Sequence, residues 1–228
     1  APTVWDPYFL NTSLLLHGDL VTTSTNIVDS SPSPKTVTAV GNAQISTARS
    51  KFGGSSLAFD GNGDYATVLI STDFEFGTGD FTVEGFVYIT SFAGSNKFVN
   101  MACLGRGANG GTGANVITCG WWVRIFSTGI DFVRYDGTTY TEIARSVTVS
   151  TAAWHHVAAS RSGTSLRVFF NGTQVGATET YTLSLNRIGS GGSQDLHVGR
   201  FLTGDNTQTP VGGTTYYESF LNGYIDDL

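Results

Sequence analysis

Charge is scarce in this chain. Only 13% of its 228 residues are Asp, Glu, Lys or Arg, about half the usual share. Exposed helix faces need such residues, and no stretch sustains an apolar repeat at helical spacing, so a helical protein is excluded. The twelve Lys and Arg residues are scattered and never cluster, and the net charge is −6. Nucleic-acid binding needs a basic stripe, so no nucleic-acid partner is expected. No apolar run approaches the ~18 residues of a membrane-spanning helix, so no membrane insertion is expected either. Cysteine is limited to Cys103 and Cys119. They flank the loop Arg106-Gly107-Ala108-Asn109-Gly110-Gly111-Thr112-Gly113, and either a cross-strand disulfide or two small buried thiols would satisfy that spacing.

Catalytic signatures are missing as well. There is no Gly-x-Ser-x-Gly, His-Glu-x-x-His or phosphate-loop motif. A retaining glycosidase needs two carboxyls about 5–5.5 Å apart, which on one strand means acidic residues at i and i+2 or i+4. None of Glu75, Glu84, Glu142, Glu179 and Glu218 has such a partner further along. His155 and His156 are neighbours on a strand, so their rings point to opposite faces and cannot share an ion. The chain is therefore expected not to be an enzyme.

What is present is short-strand chemistry, with 29 glycines and abundant Ser and Thr. Residues 1–12 read as an irregular entry, and 13–228 as one all-β domain, an antiparallel β-sandwich. The clearest unit is Ala153 to Ala177. Val157, Ala159 and Arg161 alternate with His156, Ala158 and Ser160, and Leu166, Val168 and Phe170 alternate with Arg167, Phe169 and Asn171. That is a half-buried hairpin, followed by a second turn at Asn171-Gly172. Further strands are expected at Leu14–Leu16, Thr36–Ala43 with Ile45, Ser55–Phe59 paired with Tyr65–Leu69, and Phe81–Ile89. Others follow at Phe98–Leu104, Val116–Phe126, Ile130–Tyr135 paired with Tyr140–Ala144, Leu183–Ile188, Leu196–Phe201 and Tyr224–Leu228.

Four motifs in order resemble the laminin-G-like, concanavalin A-like jelly-roll lectins. They are Ser55-Ser56-Leu57-Ala58-Phe59-Asp60-Gly61 with Asp64-Tyr65; Asp80-Phe81-Thr82-Val83-Glu84-Gly85-Phe86-Val87; Trp154-His155-His156-Val157-Ala158 with Leu166 to Gly172; and Gly223-Tyr224-Ile225-Asp226-Asp227-Leu228. Phe86 stands where the family usually has Trp. The resemblance implies a jelly-roll sandwich. The opening, Asp6-Pro7-Tyr8 through Leu14-Leu15-Leu16-His17-Gly18-Asp19 and Asp29-Ser30-Ser31-Pro32, is similar to a subgroup common in tailed-phage structural proteins. That implies a non-enzymatic module of a virion appendage or decoration protein, on the virion surface or extracellular. Its partners would be a surface glycan, other virion proteins or copies of itself. A secreted or cell-surface bacterial carbohydrate-binding lectin is the alternative.

Two sites are expected. In resembling jelly rolls the first and last strands lie side by side, which would bring Asp226 near Gly18, Asp19 and Asp29. Such an oxygen set suits a structural Ca²⁺; solvated loop aspartates are the other reading. For ligand binding, Val123 and Ile125 look core-facing, so Trp122, Arg124 and Phe126 face outward. Phe169 does likewise, and Tyr135 and Tyr140 flank a loop. Sugar rings stack on such aromatic faces, unless a crossing loop or a neighbouring subunit buries them.

Overall fold

Period-two alternation of burial is realised along Phe81–Ser91 and Tyr65–Val68, whereas Phe98–Leu104 and Trp121–Phe126 are buried on both faces. The computed structural model describes residues 7–19, 23–92, 98–105, 120–135, 140–186, 195–201, 209–211, 214–216 and 219–228. Its strands are β1 (Val37–Val40), β2 (Gln44–Ser46), β3 (Ser56–Asp60), β4 (Tyr65–Val68), β5 (Phe81–Ser91), β6 (Phe98–Leu104) and β7 (Trp121–Phe126). They continue with β8 (Gly129–Tyr135), β9 (Tyr140–Ser146), β10 (Trp154–Ser162), β11 (Ser165–Phe170), β12 (Thr173–Gln174) and β13 (Glu179–Thr180). The last are β14 (Leu196–Val198), β15 (Arg200–Phe201), β16 (Thr209–Val211), β17 (Thr214–Tyr216), β18 (Ser219–Phe220) and β19 (Asn222–Asp226). Among the described residues the only helical pieces are two 3₁₀ turns, Phe9–Asn11 and Thr72–Phe74.

The strands build two main antiparallel sheets. A seven-stranded sheet runs β1-β4-β14-β6-β7-β8-β9, and an eight-stranded sheet runs β12-β11-β10-β5-β19-β3-β2 with β13 on β11. Val99, Met101, Leu104, Val123, Ile125, Ile130 and Phe132 of the first face Leu57, Val87, Ile89, Val157, Leu166, Val168 and Ile225 of the second in one core. Each such side chain contributes about 1.5–3 kcal/mol by leaving water. The all-β sandwich expected from the sequence is the observed architecture.

The hairpin of β10 and β11 has the expected register, with Val157 opposite Phe170 and Ser162 opposite Ser165. Asn171 and Gly172 follow at φ +50° and +78°, as a primed turn requires. Phe170, however, is only half-buried, stacked on His155 at 5.0 Å. Phe170→Ala is therefore expected to cost about 2 kcal/mol, below the 3–5 of a fully enclosed Phe. Thr164→Ala in the exposed turn should cost under about 0.5 kcal/mol. Urea midpoints of both variants check this, and equal shifts would contradict the placement.

Several strand expectations are corrected. The stretch from Thr36 to Ile45 is two strands in different sheets, because the chain turns a corner at Gly41, φ +69°. The Ser55–Phe59 and Tyr65–Leu69 segments are likewise not partners: β3 pairs with β2 and β19, and β4 with β1 and β14. Both corners are pinned by one buried carboxylate, Asp64, which accepts from Asn42 N at 2.6 Å and Asp60 N at 2.8 Å. A local pattern of apolar residues is the same whether a turn stays within a sheet or crosses to the other. Leu196–Phe201 breaks at Gly199, φ +78°, and residues 183–186 form no strand. Leu14–Leu16 is not a strand either, but Leu16 exchanges backbone hydrogen bonds with Leu228 at 2.8 and 3.3 Å. The Leu14–Leu16 segment and the last residues thus do lie side by side.

Candidate binding site

The seven-stranded sheet carries three of the residues expected to hold a ligand. Trp122, Arg124 and Phe126 do face away from the core, yet Trp122 is 1% exposed and Arg124 3%. The Arg124 guanidinium lies over Phe98, Trp122 and Phe126 at 5.8, 6.0 and 5.4 Å, and Phe201 packs on Trp122 at 5.6 Å. Its Nη2 donates to Asp131 Oδ2 at 2.5 Å and Glu142 Oε1 at 2.7 Å. Burial opposes that charge, and the two carboxylates outweigh it and hold Arg124 protonated. Burial also pushes the Asp131 carboxyl above its ordinary range, against the pull of Arg124. The expectation of an open stacking platform here is therefore corrected: covering rings turn this face into a second, partly ionic core. Asp131 and Glu142 are a close carboxylate pair that a single-strand search misses, since they sit on adjacent strands. The guanidinium fills the space between them, where a glycosidase would need the scissile bond.

The other expected ligand residues do not join this cluster. Phe169 lies in the eight-stranded sheet, half-buried and opposite Gln174. Tyr135 and Tyr140 face each other across the β8–β9 pair, and their side chains lie outside the described residues. Cys103 is a buried free thiol donating to Gly105 O at 3.4 Å; Cys119 and the glycine loop before it lie outside the described residues. His155 and His156 point to opposite faces as expected. His155 is buried, with Nε2 2.9 Å from Ser150 O, and His156 Nε2 is 3.1 Å from Glu84 Oε2 on the outer face.

That outer face of the eight-stranded sheet holds the half-exposed aromatics. Trp154 is opposite Tyr88 on β5, and Tyr88 is opposite Tyr224 on β19. The rings meet edge-on at 5.6 and 5.8 Å. All three are half-exposed. β19 approaches β5 this closely because residue 223 is glycine; a Cβ there would stand 2.0 Å from Tyr88 O. One row along, His156 is opposite Phe86, with rings 5.1 Å apart, and exposed Phe52 closes on Phe86 at 5.1 Å. The sequence carries a partial signal, since Phe86 and Tyr88 share a parity, as do Trp154 and His156. Their assembly depends on β10, β5 and β19 being neighbours, which no local pattern reveals.

The expected metal residues divide. Asp29 accepts from Leu15 N, Ser31 N, Ser31 Oγ and Lys35 N at 3.0, 2.9, 3.0 and 2.8 Å. Four donors use up a carboxylate's lone pairs, so Asp29 is a hub for its own loop and is removed from the metal set. Asp226 is different. It is 0% exposed, and its Oδ2 accepts from Lys51 N at 2.7 Å and Phe52 N at 3.0 Å, while its Oδ1 is buried with no partner among the described residues. Burial first, then the charges of Asp227 and Asp19, hold its carboxyl above the ordinary range against those two N–H groups. Gly18 turns at φ +73°, and its carbonyl accepts from Ser55 Oγ at 2.7 Å. The Asp19 carboxylate sits beside Gly53, where a Cβ would stand 1.6 Å from Oδ1. No group of three or more His, Cys, Asp or Glu suited to a metal occurs among the described residues. The donors here, the Asp226 and Asp19 carboxylates and the Gly18 carbonyl, are all oxygens, the type Ca²⁺ takes, and include none of the Cys or His ligands of structural zinc sites.

Comparison with known proteins places the fold. No curated protein sequence matches the chain. The binding domain of Paraclostridial Mosquitocidal Protein 1 superposes with a TM-score of 0.61 at 12% identity, over 94% of this chain and 47% of that one. The binding domain of botulinum neurotoxin serotype D gives 0.58 at 14%, over 96% and 49%. Domain 4 of AbnA, a GH43 extracellular arabinanase from Geobacillus stearothermophilus in complex with arabinotriose, gives 0.56 at 12%, over 94% and 89%. The chain spans about half the length of the two toxin structures. The profile of the laminin-G-like family, described as the concanavalin A-like lectin/glucanases superfamily, matches residues 60–228, and the chain belongs to that family.

Proposed function

We propose that this chain is a non-catalytic module that binds extracellular glycans. The observation that carries this reading is the row Trp154–Tyr88–Tyr224, three half-exposed rings aligned across three strands. Ring faces with polar edges match the alternating apolar and hydroxylated surfaces of sugars. The arabinotriose complex of a similarly folded domain supports glycan as the ligand class. Opposed to hydrolysis is the state of the candidate carboxylates: Asp131 and Glu142 are bridged by Arg124, and Glu84 is engaged by His156. A glycan array with the purified chain tests this. Trp154→Ala and Tyr224→Ala should each weaken retained glycans at least tenfold, with melting temperature recorded alongside. An array on which the chain retains nothing, or retains ligands indifferently to both changes, would overturn the reading.

We place the module on a phage-type virion appendage, where it would serve host-surface attachment or particle assembly. What supports this is the resemblance of the opening segment, Asp6-Pro7-Tyr8 through Asp29-Ser30-Ser31-Pro32, to a subgroup common in tailed-phage structural proteins. Peptides of this chain in purified virions, found by mass spectrometry, are the expected result; their presence only in the secreted fraction would favour the bacterial lectin.

A structural Ca²⁺ belongs to the same proposal. Asp226 and Asp19 would hold it, with the Gly18 carbonyl at the turn. When bound, the ion would supply charge to the partnerless Asp226 oxygen and join the first segment to the last strand.

A further inference from the structure

We infer that the outer face of the eight-stranded sheet takes an anionic sugar chain, with Arg49 and Lys51 meeting its acidic groups and Trp154, Tyr88 and Tyr224 meeting its rings. This rests on the proposed glycan-binding reading and narrows it to a ligand class. The chain as a whole is acidic, at −6, so a local excess of unpaired cations is informative. Arg49 and Lys51 are exposed and have no carboxylate partner among the described residues. Arg49 lies over Tyr88 at 5.4 Å, and Lys51 Nζ lies over Phe86 at 5.1 Å and Phe52 at 5.7 Å. Aromatic faces hold a cation in place without neutralising it. The segment is also fixed by its backbone, since Lys51 N and Phe52 N both donate to Asp226.

Of the acids on this face, Glu84 meets His156 at 3.1 Å, Asp60 accepts from Asn42 Nδ2 at 3.2 Å, and Asp226, opposite Phe86, is buried and accepts the backbone N–H groups of Lys51 and Phe52. Arg167, opposite Ser160, is a third cation on the same face, with no carboxylate partner among the described residues. Three two-residue steps separate its row from that of Trp154, roughly 20 Å. A linear polymer can span that distance, and a single sugar cannot. Three separated charges are too few to track a phosphate backbone, which needs a continuous basic stripe.

The test is affinity electrophoresis of the purified chain through gels containing polygalacturonate, dextran sulfate, dextran or oligo(dT). Retardation by an acidic polysaccharide is expected, at least tenfold tighter than by dextran. The Arg49→Ala/Lys51→Ala double variant should lose at least tenfold of it. Both side chains are exposed, so the fold should be unaffected. Retention by polygalacturonate assigns carboxylated sugars, and retention by dextran sulfate alone assigns sulfated ones. Dextran binding as tight as the acidic polymers, and abolished by Trp154→Ala, would overturn the charge inference and leave the glycan reading standing. Retention unchanged in the double variant, or tightest for oligo(dT), would overturn the inference. No retention by any polysaccharide would overturn both.

Discussion

Arg161→Ala is expected to cost about 4 kcal/mol, because it leaves buried carbonyls without donors and a cavity behind. Arg161 is 2% exposed. Its Nε donates to Gly79 O at 2.8 Å, Nη1 to Leu183 O at 3.0 Å and Nη2 to Gly77 O at 2.8 Å, with a further short contact from Nη2 to Gly79 O. The guanidinium also lies over the Phe81 ring at 5.3 Å. One side chain therefore satisfies the backbone of residues 76–79 and of Leu183, two segments outside any strand, at one end of the sandwich. For a chain of this length 4 kcal/mol corresponds to a fall in melting temperature of roughly 8–16 °C. Arg161→Lys should recover only part of it, since a compact ammonium cannot reproduce the fork that meets three carbonyl groups. Calorimetry of both variants decides. A loss under about 1 kcal/mol for the alanine variant would show that the two segments do not depend on this residue.

Arg161 also marks where sequence reading stops. Alternation along β10 puts it on the core side with Val157 and Ala159, which is correct. Nothing local says that the core at that point is made of carbonyls. The same limit separates the legible from the illegible elsewhere. The existence of β5, β8, β9, β10 and β11 follows from period two, because each strand's own residues decide it. Which sheet β2 and β3 join does not follow, because the corner at Gly41 and the Asp64 clamp act between segments. The candidate site divides in the same way. The outward direction of Trp122, Arg124 and Phe126 is a parity fact and holds. Their burial against Phe98 and Phe201 is a long-range packing fact, and it is what disqualifies them as an open platform. Tyr224 joins Trp154 only through Tyr88, which lies 66 residues before Trp154 and 136 before Tyr224 in the chain. Asp226 was within reach because it lies on the last strand, and the pairing of Leu16 with Leu228 brings the first segment to it.

Addition of Ca²⁺ is expected to stabilise the protein by about 2.7 kcal/mol at a hundredfold excess over Kd and by about 4.1 kcal/mol at a thousandfold excess. The first figure is a rise in melting temperature of roughly 5–11 °C, which EDTA should reverse. The physical source is the Asp226 carboxylate, buried with one oxygen unpartnered and raised by burial and by the charges of Asp227 and Asp19. A carboxyl raised in the folded state binds its proton more tightly there than in the unfolded chain. Without metal, this group therefore lowers stability as pH rises from the unfolded value, about 3.9, through its raised folded value, and the loss is complete above that. Calcium acts on the ionised form, so it should remove most of that loss at neutral pH and bind weakly in acid. Asp226→Asn separates this group from other carboxylates. In EDTA it should lie within about 1 kcal/mol of the parent protein at pH 7, because the change removes a buried charge, and it should show a flatter pH profile. It should not respond to Ca²⁺. Mg²⁺ should substitute poorly, because it demands tighter octahedral geometry. Melting curves of both proteins with EDTA, Ca²⁺ and Mg²⁺, together with elemental analysis, test the site. Curves indifferent to EDTA with no divalent ion found, or a full Ca²⁺ response in Asp226→Asn, would remove it.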